Sequence, residues 1–414
     1  MARGSSARAA SLRRAPGVII ARVSTAPDTG IKPLLLPPRL RTLEEGDGRR
    51  ASYLELFFDL VFVVAIAQLA HELVVDHSLH GFGVFAALYL PVFLAWQGYS
   101  FYADRFDTDD VIFRVVMFTA MLAIAALAIQ IPDVAHGDST GFVLAYLLLR
   151  SLMVGLYLRS YRHVPEARPL ITRYAWEYSL AIAIWAVSLA FEAPTRYVFW
   201  GVALAWELSI PTLARRLFAA IPVHASHVPE RFALFTIIVL GETIVVVALG
   251  TSGSDWALSA AVVAALGFVV AAAIWWVYFG GGGEVTLRRS PAAILVFTHV
   301  HIPLLAALTA VSAGIALAIE DASAGNLDSG TRWALAGGAA LYLACVTTAQ
   351  RATAQGVLRG TETARAIAVV VLVALAFVGE RLDPSLFMGL FATTLVVLVA
   401  YKLWSAQRVL RTAA

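Results

Sequence analysis

The sequence predicts an all-α polytopic membrane protein of about twelve transmembrane helices, and three observations predict it. Of its 414 residues 60% are hydrophobic and only 14% are charged, whereas charged residues make up about a quarter of a soluble domain. From Tyr53 onward the apolar residues gather into runs of roughly 20, the length that crosses a bilayer. The basic residues between those runs alternate from one connection to the next, as the concentration of positive charge in cytoplasmic loops requires.

The first 50 residues carry Arg3, Arg8, Arg13, Arg14 and Arg22 among Ala, Ser and Pro and contain no long apolar run. They read as a disordered basic cytoplasmic tail, with an Arg-rich, acid-poor targeting segment as the alternative. Twelve apolar segments follow, at about 53–74, 82–103, 111–131, 140–158, 174–192, 197–214, 232–250, 257–279, 293–319, 331–350, 364–380 and 384–402. Six belong to a first membrane unit over 51–218 and six to a second over 219–405, leaving a cytoplasmic tail at 406–414.

With the N-terminus inside, the cytoplasmic connections hold Arg105; Arg159, Arg162, Arg168 and Arg173; Arg215, Arg216 and Arg231; Arg288 and Arg289; and Arg351, Arg359 and Arg365. The opposite connections hold only Arg196 and Arg381. Adding or losing one helix in mid-chain would invert this alternation, so both termini are expected in the cytoplasm. Trp200, Trp256, Trp333 and Trp404 fall near helix ends, where interfacial aromatic belts belong. The net charge is only +3, and Lys32 and Lys402 are the only lysines, which is no nucleic-acid signature. Cys345 is the single cysteine and has no internal disulfide partner.

Laying the first segment against the seventh suggests a repeat: ELFFDLVFVVAIAQL from Glu55 and ERFALFTIIVLGETI from Glu230 each open with Glu, place Phe two residues on and continue apolar. Six helices per unit is an even number, so both units would enter from the same side, as in parallel repeats related about the membrane normal.

Within these segments a few polar residues stand out. Glu55 and Asp59 are four apart and share a helix face near the cytoplasmic end of the first segment. Two such acids in a low-dielectric setting need a shared proton or a nearby cation, and neighbouring segments offer Arg114 and Arg150. One reading is a proton or cation relay; the other is a buried salt-bridge network that fixes packing. Glu242 lies about ten residues into the seventh segment, beside Gly241 and Thr243, too deep to reach water by snorkelling. The repeat alignment sets it opposite Ala67, next to Gln68, so the two units present a charged and a neutral polar group at equal depth.

Four further stretches invite a chemical reading. HELVVDHSLH, His71 to His80, reads as a solvated helix end and not as the H-E-x-x-H zinc motif, since Val75 occupies the fourth position after His71. His299 and His301 differ by two and point to different faces; Pro303 removes the helical bond to the carbonyl of His299, which implies either a broken helix lining a cavity or a kinked helix with one buried histidine. In FYADRFDTDD, Asp109 or Asp110 is expected to cap the third helix rather than form a cation vestibule. The GGGG run at 280–283 lacks a Walker lysine, and no Ser-His-Asp or zincin arrangement occurs. No enzyme site, cofactor or metal is expected.

With ELFFDLVFVVAIAQL, RFDTDD with Arg114, and ERFALFTIIVLGETIVVV in view, the chain resembles the bacterial low temperature requirement protein A family from about Arg50 to the last helix. The resemblance implies a multi-pass protein of the bacterial cytoplasmic (inner) membrane, with no established activity or substrate. Two classes of function follow. In one the chain is a secondary transporter or channel that couples protons or cations through its carboxylates and handles a small solute or ion. In the other it is a non-transporting component that supports growth in the cold, its buried charges serving packing, partner contacts or a homo-oligomer.

Overall fold

A computed structural model describes residues 34–41, 51–107, 109–214, 217, 221, 223–253, 257–281, 285–357 and 360–413. Most of the expected basic tail, Arg215, Arg216, Trp256, two glycines of the GGGG run and Arg359 lie outside the described residues. The long helices are α1 (Tyr53–Val75), α2 (Leu79–Arg105), α3 (Val111–Ile129), α4 (Thr140–His163), α5 (Arg168–Ser188), α6 (Thr195–Leu213), α7 (His227–Gly253), α8 (Leu258–Phe279) and α9 (Pro291–Glu320). After them come α10 (329–351), α11 (Thr361–Val378) and α12 (Pro384–Ala413).

Among the described residues nine of these, α1 to α4, α7 to α9, α11 and α12, are long and apolar enough to cross a membrane. The other three expected segments are helical but fall short of that standard. Arg173 and Glu177 interrupt the apolar character of α5, and Arg196 and Glu207 that of α6. A π turn at Trp333–Gly337 divides α10. The π turn sits where α9 and α10 approach closely: a Cβ on Gly338 would stand 3.1 Å from the Ala307 carbonyl, and one on Gly314 2.9 Å from the Leu335 nitrogen.

Local signals set the helix ends. Ser52 caps α1 and forms a capping box with Glu55. Pro169, Pro291 and Pro384 stand in the first turns of α5, α9 and α12, where their missing N–H costs no helical bond. Pro169 and the helix-ready residues beside it start α5 at Arg168, six residues before the expected boundary, and α12 continues past 402 to Ala413. Pro303 leaves α9 unbroken from Pro291 to Glu320, so of the two alternatives the broken helix does not occur and the continuous helix with His301 buried does.

Neighbour relations place the site. In the first half α1 packs on α2 and α3, α3 on α4, α4 on α5, α5 on α6, and α6 returns to α2. In the second half α7 packs on α8 and α9, α9 on α10, α10 on α11, α11 on α12, and α12 returns to α8. The halves meet chiefly where α1 lies against α7 and α9.

Part of the expected tail is ordered as a strap. Strand β1 (Arg39–Leu40) pairs antiparallel with β2 (Phe106–Asp107), directly after α2. Val111 N donates to the Leu34 carbonyl at 3.1 Å and Arg41 N to the Arg105 carbonyl at 3.0 Å. Asp110 is the hub. It caps α3 by accepting Phe113 N at 3.0 Å, accepts Leu36 N at 3.3 Å and pairs with Arg159 of α4 at 2.6 Å. Arg159 also donates to the Leu36 carbonyl at 2.8 Å.

Burial alone would raise the Asp110 carboxyl, but the hydrogen bonds from Arg159, Phe113 and Leu36 outweigh it and hold the group below the usual aspartate value. Such a group contributes stability above its unfolded pKa and loses it as pH falls through the folded value. Replacing Asp110 by Ala should therefore lower stability by about 3 kcal/mol at neutral pH. The difference from wild type should shrink below about pH 4, measured by thermal unfolding in detergent across pH.

Candidate functional site

Three helices each present two polar side chains four residues apart, and these meet as a two-rung ladder: Glu55 and Asp59 on α1, Ser100 and Asp104 on α2, His227 and Arg231 on α7. The spacing matters because residues four apart lie one above the other on a helix, so three facing helices bring the six groups into two layers.

In the outer rung His227 Nδ1 lies 2.9 Å from Asp104 Oδ1, and its Nε2 lies 3.9 Å from Glu55 Oε2, beyond hydrogen-bond length. Glu55 Oε2 accepts Ser52 N at 2.7 Å, so the carboxylate sits at the positive end of α1. His224 closes the rung by donating its backbone N–H to Asp104 Oδ2 at 3.1 Å.

In the inner rung Asp59 Oδ1 accepts Arg231 Nη2 at 2.7 Å and Trp96 Nε1 at 2.8 Å. Arg231 Nη2 also donates to Ser100 Oγ at 3.3 Å. Asp59 is fully buried and Arg231 2% exposed. Among the described residues Asp59 Oδ2, Arg231 Nε, Arg231 Nη1 and His227 Nε2 are buried with no hydrogen-bond partner.

An aromatic layer roofs the inner rung. The Trp96 ring stacks on Phe235 at 4.2 Å and 11°, with Phe232 edge-on at 4.9 Å. Phe62 of α1 meets Phe235 at 6.1 Å.

The other expected residues lie elsewhere. Arg114, expected near the acids, is half exposed and pairs with Asp109 at 2.8 Å, since it follows the Asp110 cap on the outer face of α3. Arg150 is buried but does not pair with Asp59, because α4 packs chiefly on α3 and α5 and its guanidinium is turned to other partners. Its Nη2 pairs with Glu207 of α6, its Nε donates to the Tyr146 hydroxyl at 2.9 Å and its Nη1 to the Leu94 carbonyl at 3.3 Å. Every Arg150 nitrogen is thus used.

Glu242 is 7% exposed and has no hydrogen-bond or ion-pair partner among the described residues. It lies 11 residues beyond Arg231 on α7, about 16 Å along the helix and on nearly the same face. Thr243 bonds the Ser312 hydroxyl of α9 at 2.5 Å. Gln68 is half-buried and likewise without a partner among the described residues. His299 bridges helices, with Nδ1 2.8 Å from the Leu295 carbonyl and Nε2 3.4 Å from the Leu208 carbonyl of α6. His301 points to the other side, with Nδ1 2.6 Å from the Phe297 carbonyl and Nε2 2.9 Å from the Tyr278 hydroxyl of α8.

Of the expected site residues, only Glu55 and Asp59 enter the ladder. Arg231, His227, Asp104 and Ser100 complete it, and the sequence reading assigned Arg231 to a loop. The signal that finds them is the shared i, i+4 spacing of polar residues at the ends of three apolar segments. No group of three or more His, Cys, Asp or Glu among the described residues is arranged to hold a metal ion. His77 instead pairs with Asp328 at 3.1 Å and His80 with Asp76 at 3.2 Å.

Removing one member of the inner rung strands the other in the interior. Arg231→Met should destabilise by about 3 to 5 kcal/mol, and adding Asp59→Asn to it should recover part of that loss. A double-mutant cycle on thermal unfolding measures the coupling; simple additivity would mean the pair does not act as one unit.

The bacterial low temperature requirement A family model matches residues 50–400, which hold the whole ladder. The uncharacterized protein RA0937 of Rhizobium meliloti (strain 1021) is 31% identical over 297 residues, covering 66% of this chain and 71% of that protein. No solved structure matches the chain. With its two Glu-headed motifs on α1 and α7 supplying two of the three sides of the polar ladder, the chain belongs to the bacterial low temperature requirement A family.

Proposed function

We propose that this chain is a secondary transporter or channel-like protein that couples protons or cations through the ladder and through Glu242. The observation that carries the reading is a contrast between two buried ion pairs. The Arg150–Glu207 pair has all its guanidinium nitrogens bonded, which is the condition for a buried pair that only fixes packing. The Asp59–Arg231 pair keeps three polar atoms without partners, and His227 a fourth. Buried polar atoms left so call for a role beyond packing: the Asp59 oxygen and the His227 nitrogen can take a proton or a cation, and the Arg231 N–H groups can bond water or an anion.

The chemistry follows from the layout. His227 stands between the carboxylates of Glu55 and Asp104; it can exchange a proton directly with Asp104, and with Glu55 once the 3.9 Å gap between them closes or a water bridges it. Asp59 in its charged form holds both the Trp96 indole N–H and Arg231. Protonating it weakens both contacts and frees the indole that stacks on Phe235, so the aromatic layer acts as a gate between the ladder and Glu242. The neighbour order of the two halves, repeated six helices later, supports two parallel six-helix units and twelve crossings. The Arg-rich connections support cytoplasmic termini in the bacterial inner membrane.

The decisive experiment is proton and cation flux in liposomes. Asp59→Asn and Glu242→Gln should each reduce flux to background, and Glu242→Gln should keep the wild-type melting temperature, because no cation is left unpaired by that change. A wild-type chain that carries no proton or cation current would leave the packing role of the buried charges as the function. Orientation is checked separately by cysteine labelling in a Cys345→Ser background. Ser323→Cys should react from outside the cell and Arg289→Cys only from the cytoplasm; the reverse pattern would remove the twelve-crossing arrangement.

A further inference from the structure

At the end of α1 opposite the ladder, the turn between α1 and α2 meets the start of α10. The two backbones are in close contact, because any Cβ on Gly330 would collide with the His77 carbonyl. Asp328 caps α10: its Oδ1 accepts Thr331 N at 3.0 Å and its Oδ2 accepts the Thr331 hydroxyl at 2.8 Å. The same Oδ2 lies 3.1 Å from His77 Nε2. This contact joins the first half of the chain to the second, as the Asp59–Arg231 pair does toward the other end of α1.

The protonation of His77 follows from its two neighbours. Its Nδ1 lies 3.2 Å from the Val74 carbonyl, while its Nε2 faces the Asp328 carboxylate, so both ring nitrogens stand opposite acceptors. A neutral imidazole has one N–H and one lone pair, and whichever nitrogen were bare would set a lone pair against an oxygen. Only the imidazolium suits both contacts. Asp328 supplies the counter-charge: burial raises its carboxyl, but the bonds from Thr331 and the His77 charge outweigh burial and hold it below the usual aspartate value. The other charged groups at this end are turned elsewhere. Asp76 accepts Ser78 N at 3.0 Å and lies 3.2 Å from His80, and the Arg332 guanidinium donates to the Leu327 and Ala376 carbonyls. Glu72 on α1, and Glu320 and Asp321 at the end of α9, form no hydrogen bond or ion pair with His77 among the described residues.

We propose that His77 and Asp328 form a pH-dependent latch between the two halves, closed while the imidazole carries both protons and open once one is lost. Histidine changes charge between about pH 5 and 8, and the charge alternation of the connections assigns this end to the outside of the cell, so the latch reads external pH. A histidine that gains an acidic partner contributes stability at low pH and loses it as pH rises. The closed arrangement is therefore favoured in acid. As a device of a transporter the latch rests on the function proposed above: it holds the outer ends of α1 and α10 together in acid and lets them part toward neutral pH, on the side opposite the ladder.

The test uses the full chain in lipid nanodiscs, with Cys345→Ser and spin labels at Leu79→Cys and Ser329→Cys, two exposed positions within two residues of the contact. Dipolar broadening between the labels should be present at about pH 5.5 and lost at about pH 8. His77→Gln and Asp328→Asn, the second of which keeps an oxygen for the α10 cap, should each give the open spectrum at both pH values. His77→Arg, charged at both, should give the closed spectrum at both. A wild-type spectrum that does not change with pH, a His77→Gln chain that still responds, or a His77→Arg chain that opens as wild type does would overturn the latch. None of these readouts depends on flux: a chain whose labels respond to pH but which carries no current would uphold the latch and remove the transport reading.

Discussion

The Asp59–Arg231 pair is the constraint on which the arrangement of the molecule depends. It joins α1 to α7, the helices at which the two halves of the chain meet, and it does so with both charges withdrawn from solvent. Ionised groups at such a position are costly unless paired, so α1 and α7 cannot slide or rotate relative to one another without exposing a bare charge to an apolar interior. Trp96 and Ser100 bring α2 into the same contact. A three-helix junction is thereby fixed in register by electrostatics, in a setting where lipid supplies no hydrophobic force to hold helices together.

Around that junction the polar groups separate into two kinds. Arg150, Glu207 and Tyr146 form a closed set between α4 and α6, with donors and acceptors matched. Such a set ties α4 to α6 within the first half of the molecule. The ladder is incomplete by comparison, and Glu242 has no polar partner among the described residues. Buried groups left incomplete destabilise, and their persistence in a membrane interior is the physical reason for assigning them a task beyond packing. The Trp96 and Phe235 rings stack one turn beyond the inner rung, toward the deeper part of α7.

The strap from Leu34 to Arg41 adds a second constraint on the same side of the molecule. It pairs with the two residues that follow α2, and Arg41 bonds the carbonyl of Arg105, next to Asp104 of the ladder. Asp110 ties the strap to the start of α3 and to α4 at once. The end of α2 that bears Ser100 and Asp104 is thus held from the ladder side and from the strap side.

Hydropathy and charge alternation make the helices legible in the sequence, because each span must bury its own backbone polar groups and present about 20 apolar residues to lipid. That requirement is local, so the start of α1 near Tyr53, a cap on α3 from Asp109 or Asp110 and the acids Glu55, Asp59 and Glu242 could all be read before any packing was known. Family membership was legible from the same motifs. Partner choice was not. Arg231 looked like one more loop arginine, and Arg114 and Arg150 looked like the cations nearest the acids, because pairing depends on which helices become neighbours and at what rotation. Only the tertiary structure set α7, and not α3 or α4, beside the acidic face of α1, and only it showed that Pro303 leaves α9 whole. The sequence by itself determined where the apolar helices run, since that follows from the length and polarity of each span; the tertiary structure alone decided which polar groups are buried and which of them face one another, since that is a property of helix packing and not of any single helix.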